Sequence, residues 1–336
     1  MVSKFKIYSA GLLLLILNLN CKKDGVCPEE SDILDSFTTE DGITGFVTTD
    51  GKAYIEDNNG CNFYVQYFNP GYDSIYVFTD SGIYINTEDG PFPVSNNFFE
   101  DFENYEQFID IITMSITDTN LYWNSFTLQS PLAPEIQDYV DLRNCILAGT
   151  CGFLDNTIQI ITDPTNDLNK VIQFYSVAST GNMITAKCSI DKQSNYFVKG
   201  MNLWYEAKYY IVNGMPYSLV DFENSYFDQS PGPRVVIEDN KLAIENKFAE
   251  KITYYPTSGL AVPTNQWFTV KVHFYLSDEQ DGIIEMWQDG NLILSTTGIN
   301  IPLSISIQNS LELGISATDI GATLLVDDVR LSEFPF

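Results

Sequence analysis

The second half of the chain is a series of short segments in which apolar and polar residues alternate. In the segment 268–276, Phe, Val, Val, Phe and Leu occupy every second position. Such alternation is typical of β-strands, because successive side chains of a strand point to opposite faces of its sheet. Roughly ten such segments are separated by Gly, Pro, Asn and Asp turns, so the series predicts an all-β sandwich or jelly roll.

One short helix is expected before this series of strands. The apolar residues Ile136, Tyr139, Val140, Leu142 and Ile146 recur at close to helical spacing. No other segment of the second half shows that spacing clearly. The fold is therefore expected to be nearly all β, with a single helix near the start of the main domain.

Changes in composition divide the chain into four parts. Residues 1–20 and 21–35 read as a targeting signal and a polar tether, and 36–120 as a small acidic β-rich module. Asp-Gly, Asn-Gly and Ser-Gly pairs in this module predict hairpin turns. Its last part, 96–120, reads as an acidic, aromatic-rich helix or linker. The sandwich is assigned to 121–336.

The N-terminus has the features of a bacterial export signal. Lys4 and Lys6 precede the apolar run Ala10–Leu17, which is too short to span a bilayer. Cys21 follows, and "CKKDG" resembles the export tag on surface lipoproteins of polysaccharide-degrading Gram-negative bacteria. We expect acylation of Cys21 and anchoring in outer-membrane lipid, facing the cell exterior. A plain secretory signal is the alternative, because Asn20 is not the usual small residue before a lipoprotein cysteine.

The net charge limits the partners of this protein. A charge of −28 repels nucleic acid and anionic lipid surfaces at long range. It also opposes a polyanionic substrate, unless a local basic groove overrides the overall sign. Such a groove is feasible, because salt screens the overall field within about 10 Å. Nucleic acid is therefore excluded as an expected partner.

The six cysteines suggest disulfides rather than a metal site. Cys145 and Cys151 are close enough in sequence to close a small loop, and Cys27 with Cys61 is a second candidate pair. Other pairings remain open, and Cys188 is left as a free thiol. With no Cys-x-x-Cys pair and one histidine, a zinc site is not expected.

Three strand segments combine an apolar face with a charged and aromatic face. The alternation predicts that their outward faces line one concave groove, with Glu223 and Arg234 near its rim. Aromatic rings can stack on sugar faces, and charged groups can bind hydroxyls or carboxylates. The residues expected in this groove are Glu206, Lys208, Tyr210, Glu245, Lys247, Lys271, His273, Tyr275 and Trp287.

The last segments also carry a family resemblance. "QWFTVKVHFYLSDEQDGIIEMWQDGNLIL" and the closing "LLVDDVRLS" resemble the concanavalin A-like jelly rolls of bacterial polysaccharide lyases, of the heparin-lyase and alginate-lyase types. The resemblance covers roughly 121–336 and implies a concanavalin A-like jelly-roll sandwich. It also implies β-elimination on a uronic-acid glycan.

Such a lyase needs three groups. A cation must neutralise the uronate carboxylate, and Arg234 or Lys247 are candidates. A base must remove the C5 proton, for which His273, next to Lys271, is the natural candidate since imidazole titrates near neutrality. An acid must protonate the leaving oxygen, for which Tyr275 or Tyr210 are candidates.

Less specific interpretations compete with these roles. For His273, an ordinary satisfied or solvated strand histidine is the more common finding. Lys271 and Lys247 are equally consistent with solvated charges on a strand face, and Trp287 with core packing. The sequence first suggests a surface lipoprotein that binds polysaccharide in the groove, then a lyase, and third a structural surface protein without glycan activity. No cofactor is required, although the acidic segments at 56–60 and 277–282 leave a structural calcium ion open.

Overall fold

The structure, a computed structural model, forms two compact units, 1–94 and 95–336. Each unit is described by itself. The structure describes the strand positions within 33–93 in the first unit. In the second unit it describes residues 96–112, 123–181, 183, 185–192, 195–224, 231–248, 251–257, 259–304 and 306–336. The predicted lipidation site Cys21, and the side chains of Cys27 and Cys61, lie outside these residues.

The first unit contains a seven-stranded antiparallel sheet in which each strand pairs with the next along the chain. The predicted turn pairs Asp50-Gly51 and Ser81-Gly82 include residues outside those that the structure describes. The strands are β1 Ile33–Thr38, β2 Thr44–Thr48, β3 Ala53–Asp57, β4 Gly60–Val65, β5 Ile75–Thr79, β6 Gly82–Thr87 and β7 Gly90–Pro93.

The second unit is a sandwich of two antiparallel sheets, which confirms the predicted fold class. The first sheet contains β8 Phe98–Glu100, β10 Thr157–Asp163, β11 Asn166–Ser176, β14 Asn202–Asn213, β19 Trp267–Tyr275, β20 Ile283–Gln288, β21 Asn291–Thr297 and β23 Ala322–Ser332. The second sheet contains β9 Ser125–Thr127, β12 Ala186–Lys192, β13 Phe197–Val198, β15 Ser218–Asn224, β16 Pro233–Glu238, β17 Lys241–Asn246, β18 Thr253–Tyr254 and β22 Ile307–Thr318.

The order of strands within each sheet differs from their order in the chain. The first sheet runs β10-β11-β23-β14-β19-β20-β21, with β8 paired to β23. The second runs β18-β17-β16-β15-β22-β12-β9, with β13 paired to β22. Strands that are distant in sequence are therefore neighbours in the sheets.

The two sheets pack on each other through aromatic side chains. Phe222 of the second sheet contacts Tyr205 and Phe274 of the first edge-to-face, with ring centroids 5.4 and 5.3 Å apart. These three rings are buried, and such edge-to-face contacts add to the free energy gained by burying their area. Because these residues point inward, the polar residues that alternate with them point to opposite outer faces of the sandwich.

Two hairpins of the second unit have residues that favour tight two-residue turns. Asp289 and Gly290 join β20 to β21 with φ values of 50° and 76°, and Asp239 and Asn240 join β16 to β17 with 48° and 61°. Positive φ at both central residues is the type I′ geometry, which matches the twist of two-residue hairpins. The second of these turns sets the register in which β16 and β17 pair.

The predicted helix is present as α1, Ile136–Leu147, after a short 3-10 turn at Phe108–Ile111. Leu142 packs into the core, and Glu135 and Asp138 form a capping box at the first turn. Cys145 and Cys151 form the predicted disulfide at its C-terminal end. Among the described residues Cys188 is a buried free thiol, also as predicted.

The boundary between the two units differs from the predicted one at 120. The second unit begins at Ser95, and β8 pairs with β23 through Val329 and Glu100. The segment 96–120 was predicted as a helix or linker, but its described part, 96–112, supplies a strand and a 3-10 turn to the sandwich. Its aromatic residues explain this, since Phe98, Phe102 and Phe108 are buried in the core.

No helix within the described ranges is long and apolar enough to cross a membrane.

Candidate active site

The predicted groove residues lie on two different sheets. His273 belongs to the first sheet, whereas Arg234 and Glu245 belong to the second. The prediction that their outward faces form one groove is therefore wrong. Alternation identifies the face on which a side chain lies, but long-range pairing decides which sheet its strand joins.

His273 is held in a closed environment on the first sheet. Its Nδ1 lies 2.8 Å from Glu285 Oε2 and its Nε2 lies 2.9 Å from Asn202 Oδ1. The ring stacks on Trp204 at a centroid distance of 3.9 Å, and the residue is 7% exposed. Both ring nitrogens are thus engaged, and the ring has little access to a substrate.

The other candidates on the first sheet make contacts that stabilise its outer surface. Lys271 Nζ lies 5.4 Å from the ring centroids of both Trp204 and Trp287, and it donates to the main-chain oxygen of Phe336 at 2.9 Å. Lys208 forms an ion pair with Asp328. Three further candidates belong to this sheet. Glu206 is the register partner of Lys271, Tyr275 is the register partner of Ile283, and the ring of Tyr210 contacts the ring of Trp267.

The outer face of the second sheet carries a row of ionisable residues in direct register across five strands. Asp191 pairs with Glu312, Glu312 with Asp221, Asp221 with Arg234, and Arg234 with Glu245. Register partners in a sheet point to the same face. We call these five residues the charged row.

Lys247 lies over the centre of the charged row. Its ammonium donates to Asp221 Oδ2 at 2.6 Å and also to Glu223 Oε1. Burial raises the pKa of Asp221, but Lys247, Arg234 and Lys187 outweigh it and hold that pKa well below its ordinary value. Burial lowers the pKa of Lys247, but Asp221 and Glu223 raise it above its ordinary value. Lys247 is therefore a cation, and Asp221 an anion, at neutral pH.

Two further ion pairs flank this centre. Lys187 lies 3.3 Å from Glu312, which raises the pKa of Lys187, and Ser189 Oγ donates to Glu312 Oε1 at 2.6 Å. Arg234 Nη2 donates to Glu245 Oε1 at 2.9 Å. Within the described part of the chain, the buried Nε of Arg234 has no hydrogen-bond partner.

Tyr217 contacts Arg234 and Glu245, the last two residues of the charged row. The guanidinium of Arg234 lies 5.0 Å from the ring centroid of Tyr217. The Tyr217 hydroxyl is within hydrogen-bond distance of two carboxylates, Glu238 at 2.9 Å and Glu245, and can donate its one hydrogen to either. Burial and these two carboxylates raise the pKa of Tyr217. The phenol therefore keeps its proton at neutral pH.

Two carboxyl groups on this face are partly exposed and have a raised pKa. Burial and the carboxylate of Glu312 raise the pKa of Asp191 to about 8, against the lowering effect of Lys187 and Arg143. Burial, Asp221 and Glu312 raise the pKa of Glu223, although Lys247 opposes them. Ionisable groups tuned towards neutrality are suited to proton transfer.

The acidic centre also has the composition of a cation site. Carboxylate oxygens of Asp221, Glu223 and Glu312 lie within 4.8 Å of one another. Lys247 already supplies a positive charge to two of these three residues. At 277–282 the acidic side chains bond within the protein, since Asp281 accepts from Ser277 and Lys199 pairs with Asp278 and Glu279. A structural calcium ion remains a prediction.

Sequence reasoning found four members of this second-sheet site and missed others. It selected Glu223, Arg234, Glu245 and Lys247, which the structure brings together. It missed Lys187, Asp191, Tyr217, Asp221 and Glu312. Alternation in "AKCSID" already separates Lys187 and Asp191 from the buried Cys188 and Ile190, and could have identified both.

A family model described as polysaccharide lyase matches residues 137–325. These residues include every strand that contributes to the charged row. The comparison with curated protein sequences gives no match.

Solved structures with similar folds include three lyases. An endo-β-1,4-glucuronan lyase from the fungus Trichoderma reesei is 13% identical, with 53% of this chain and 87% of that chain covered, at a TM-score of 0.45. An alginate lyase from Chlorella virus is 8% identical, covering 57% and 97%, at 0.40. One from Pseudomonas aeruginosa is 11% identical, covering 63% and 97%, at 0.40.

Proposed function

Because the chain belongs to the polysaccharide lyase family, we propose that it cleaves a uronic-acid polysaccharide by β-elimination on the outer face of the second sheet. The observation that carries the proposal is the charged row with Lys247 above it. This face combines fixed cations with two partly exposed carboxyl groups of raised pKa. Those are the groups that the reaction requires.

The first requirement is a cation for the uronate carboxylate. Neutralising that carboxylate makes the C5 proton more acidic, because negative charge develops next to it in the transition state. Lys247 supplies a protonated ammonium, and Arg234 supplies a guanidinium that Glu245 holds in place through Nη2. A substrate carboxylate that binds Lys247 also competes with Glu223 for the same ammonium.

The second requirement is a base, and Glu223 fits best. It is 18% exposed, whereas Asp221 and Glu245, at 2% and 7%, are less accessible to a substrate. Its raised pKa makes it a stronger base than an ordinary carboxylate. When the substrate carboxylate takes the Lys247 ammonium, Glu223 loses its hydrogen bond from Lys247, and the pKa of Glu223 rises further.

The third requirement is an acid for the leaving oxygen, and Asp191 fits best. Its pKa of about 8 leaves it protonated at neutral pH. In the proposed step, Glu223 takes the C5 proton, the C5–H electrons form the C4–C5 double bond, and the C4–O bond breaks. Asp191 then gives its proton to the departing oxygen, so that no water is consumed.

His273 is not assigned to this reaction. Its predicted role as base depended on a groove shared with Arg234 and Lys247, and these residues lie on the other sheet. The first interpretation of the sequence was binding without turnover. Family membership and the raised pKa of Asp191 and Glu223 favour catalysis instead.

The proposed location remains the bacterial outer membrane, with lipid on Cys21. This proposal rests on the N-terminal sequence alone. Labelling with radioactive palmitate tests it: the full chain should incorporate label and Cys21→Ala should not. Absence of label in the full chain would contradict lipid anchoring without affecting the proposed reaction.

The reaction is tested by incubating the protein with a panel of uronic-acid polysaccharides. β-Elimination gives a C4–C5 double bond conjugated to the carboxylate, so ultraviolet absorbance should rise as the chain is cut. Mass spectra should show new ends that are lighter by one water than hydrolysis products. Hydrolytic ends, or intact polymers throughout the panel, would contradict the proposal.

A further inference from the structure

Helix α1 brings Arg143 to one end of the charged row. Arg143 Nη1 donates to Ser125 Oγ at 2.7 Å. Ser125, on β9, is the register partner of Asp191, so it continues the row by one strand. The positive charge of Arg143 also acts on Asp191, whose pKa it lowers. Arg143 is therefore part of the same face, although it comes from the helix rather than from a strand.

Arg143 differs from the other cations of this face in its partners. Each of the other three cations forms an ion pair with a carboxylate: Lys187 at 3.3 Å, Arg234 at 2.9 Å and Lys247 at 2.6 Å. Among the residues that the structure describes, Arg143 forms no ion pair, and its buried Nε has no hydrogen-bond partner. A substrate carboxylate could bind Arg143 without displacing an internal one.

The position of Arg143 is fixed by the helix that carries it. Leu142, the preceding residue, is buried in the core, and the disulfide Cys145–Cys151 anchors the next turn. The bond to Ser125 then holds one branch of the guanidinium. A group ordered before binding loses less conformational entropy when a ligand arrives.

We propose that Arg143 forms a second carboxylate-binding subsite, so that the enzyme recognises a chain bearing several uronates rather than one isolated uronate. This inference rests on the proposed function and identifies its substrate class. Three strand spacings separate β9 from β15, over which Lys247 lies, or about 14 Å at about 4.8 Å each. Only an oligosaccharide of several sugar units can reach both cations.

The experiment compares wild-type protein with Arg143→Gln on a homopolymeric polyuronate and on its disaccharide and trisaccharide. Lys208→Gln, which removes a cation from the opposite sheet, is the matched control. Arg143→Gln should raise KM for the polymer about tenfold, the size expected for a lost charge-assisted hydrogen bond, with kcat nearly unchanged. KM for the short oligomers should not change, and Lys208→Gln should behave as wild type on all substrates.

Several results would overturn the inference. One is an unchanged KM for the polymer in Arg143→Gln, and another is an equal rise for the polymer and the short oligomers. If Arg143→Gln does not fold, Arg143→Lys decides: it keeps the charge but loses the guanidinium geometry, so a raised polymer KM supports the subsite and an unchanged one refutes it. Wild-type protein without turnover would instead refute the proposed function, and this inference would fall with it.

Discussion

The ammonium of Lys247 and the carboxylate of Asp221 lie 2.6 Å apart on the outer face of the second sheet. Both side chains are largely buried, and Asp221 also accepts hydrogen bonds from Ser218 and Ser316 at 2.6 Å. A buried pair of this kind is costly to break from one side, because the remaining charge loses its partner.

Lys247→Met should therefore destabilise the protein by about 3–5 kcal/mol, the usual cost of an uncompensated buried charge. Adding Asp221→Asn should recover part of this loss, since the unpaired anion is then removed. Urea unfolding of the two single variants and the double variant measures the coupling. Strictly additive losses would show that the two residues do not act as a pair.

Asp191 should make both activity and stability depend on pH. As general acid it must be protonated, so kcat should fall as pH rises through about 8. Because its pKa in the folded state is above its ordinary value of 3.8, the folded state binds the proton more tightly than the unfolded state. The contribution of Asp191 to stability should therefore decrease between about pH 4 and pH 8.

The variant Asp191→Asn separates these two effects. It should lower kcat strongly, while removing the part of the stability loss between pH 5 and pH 8 that comes from Asp191. Melting temperatures at both pH values and a pH–rate profile measure this. A variant with wild-type kcat and an unchanged alkaline limb would exclude Asp191 as the acid.

His273→Gln should change stability more than activity. The substitution disturbs the hydrogen bonds to Glu285 and Asn202 and the stack on Trp204, so a loss of about 1–3 kcal/mol is expected. If His273 were the catalytic base, its replacement would lower kcat at least about a hundredfold. Because His273 is not assigned that role, kcat of the variant should stay within about threefold of wild type. Measured on folded protein, near-complete loss of turnover would restore His273 as a candidate base.

The sequence predicted the fold more fully than the site. Alternation, turn pairs and one helical segment were enough for an all-β sandwich with α1, because each depends on neighbouring residues. The boundary at Ser95 was missed, since β8 has three residues and is defined by its pairing with the distant β23.

The site could be predicted only in part, for a related reason. Arg234 and Glu245 are joined by one hairpin, so alternation in adjacent segments was sufficient to place them together. Asp191 and Glu312 face each other only because β12 pairs with β22, which no local pattern reveals. His273 was predicted as the base because it is the one histidine of the chain. Residue type, however, does not show which sheet a strand joins.

The most direct test of the account compares Glu223→Gln with Glu206→Gln. Each replaces a carboxylate by an amide of similar shape, the first on the second sheet and the other on the opposite face of the sandwich. With a polyuronate substrate, the rate of ultraviolet absorbance increase should fall at least a hundredfold in Glu223→Gln and stay near wild type in Glu206→Gln. Wild-type rates in Glu223→Gln, with loss of turnover in Glu206→Gln, would place the reaction on the first sheet and contradict the account.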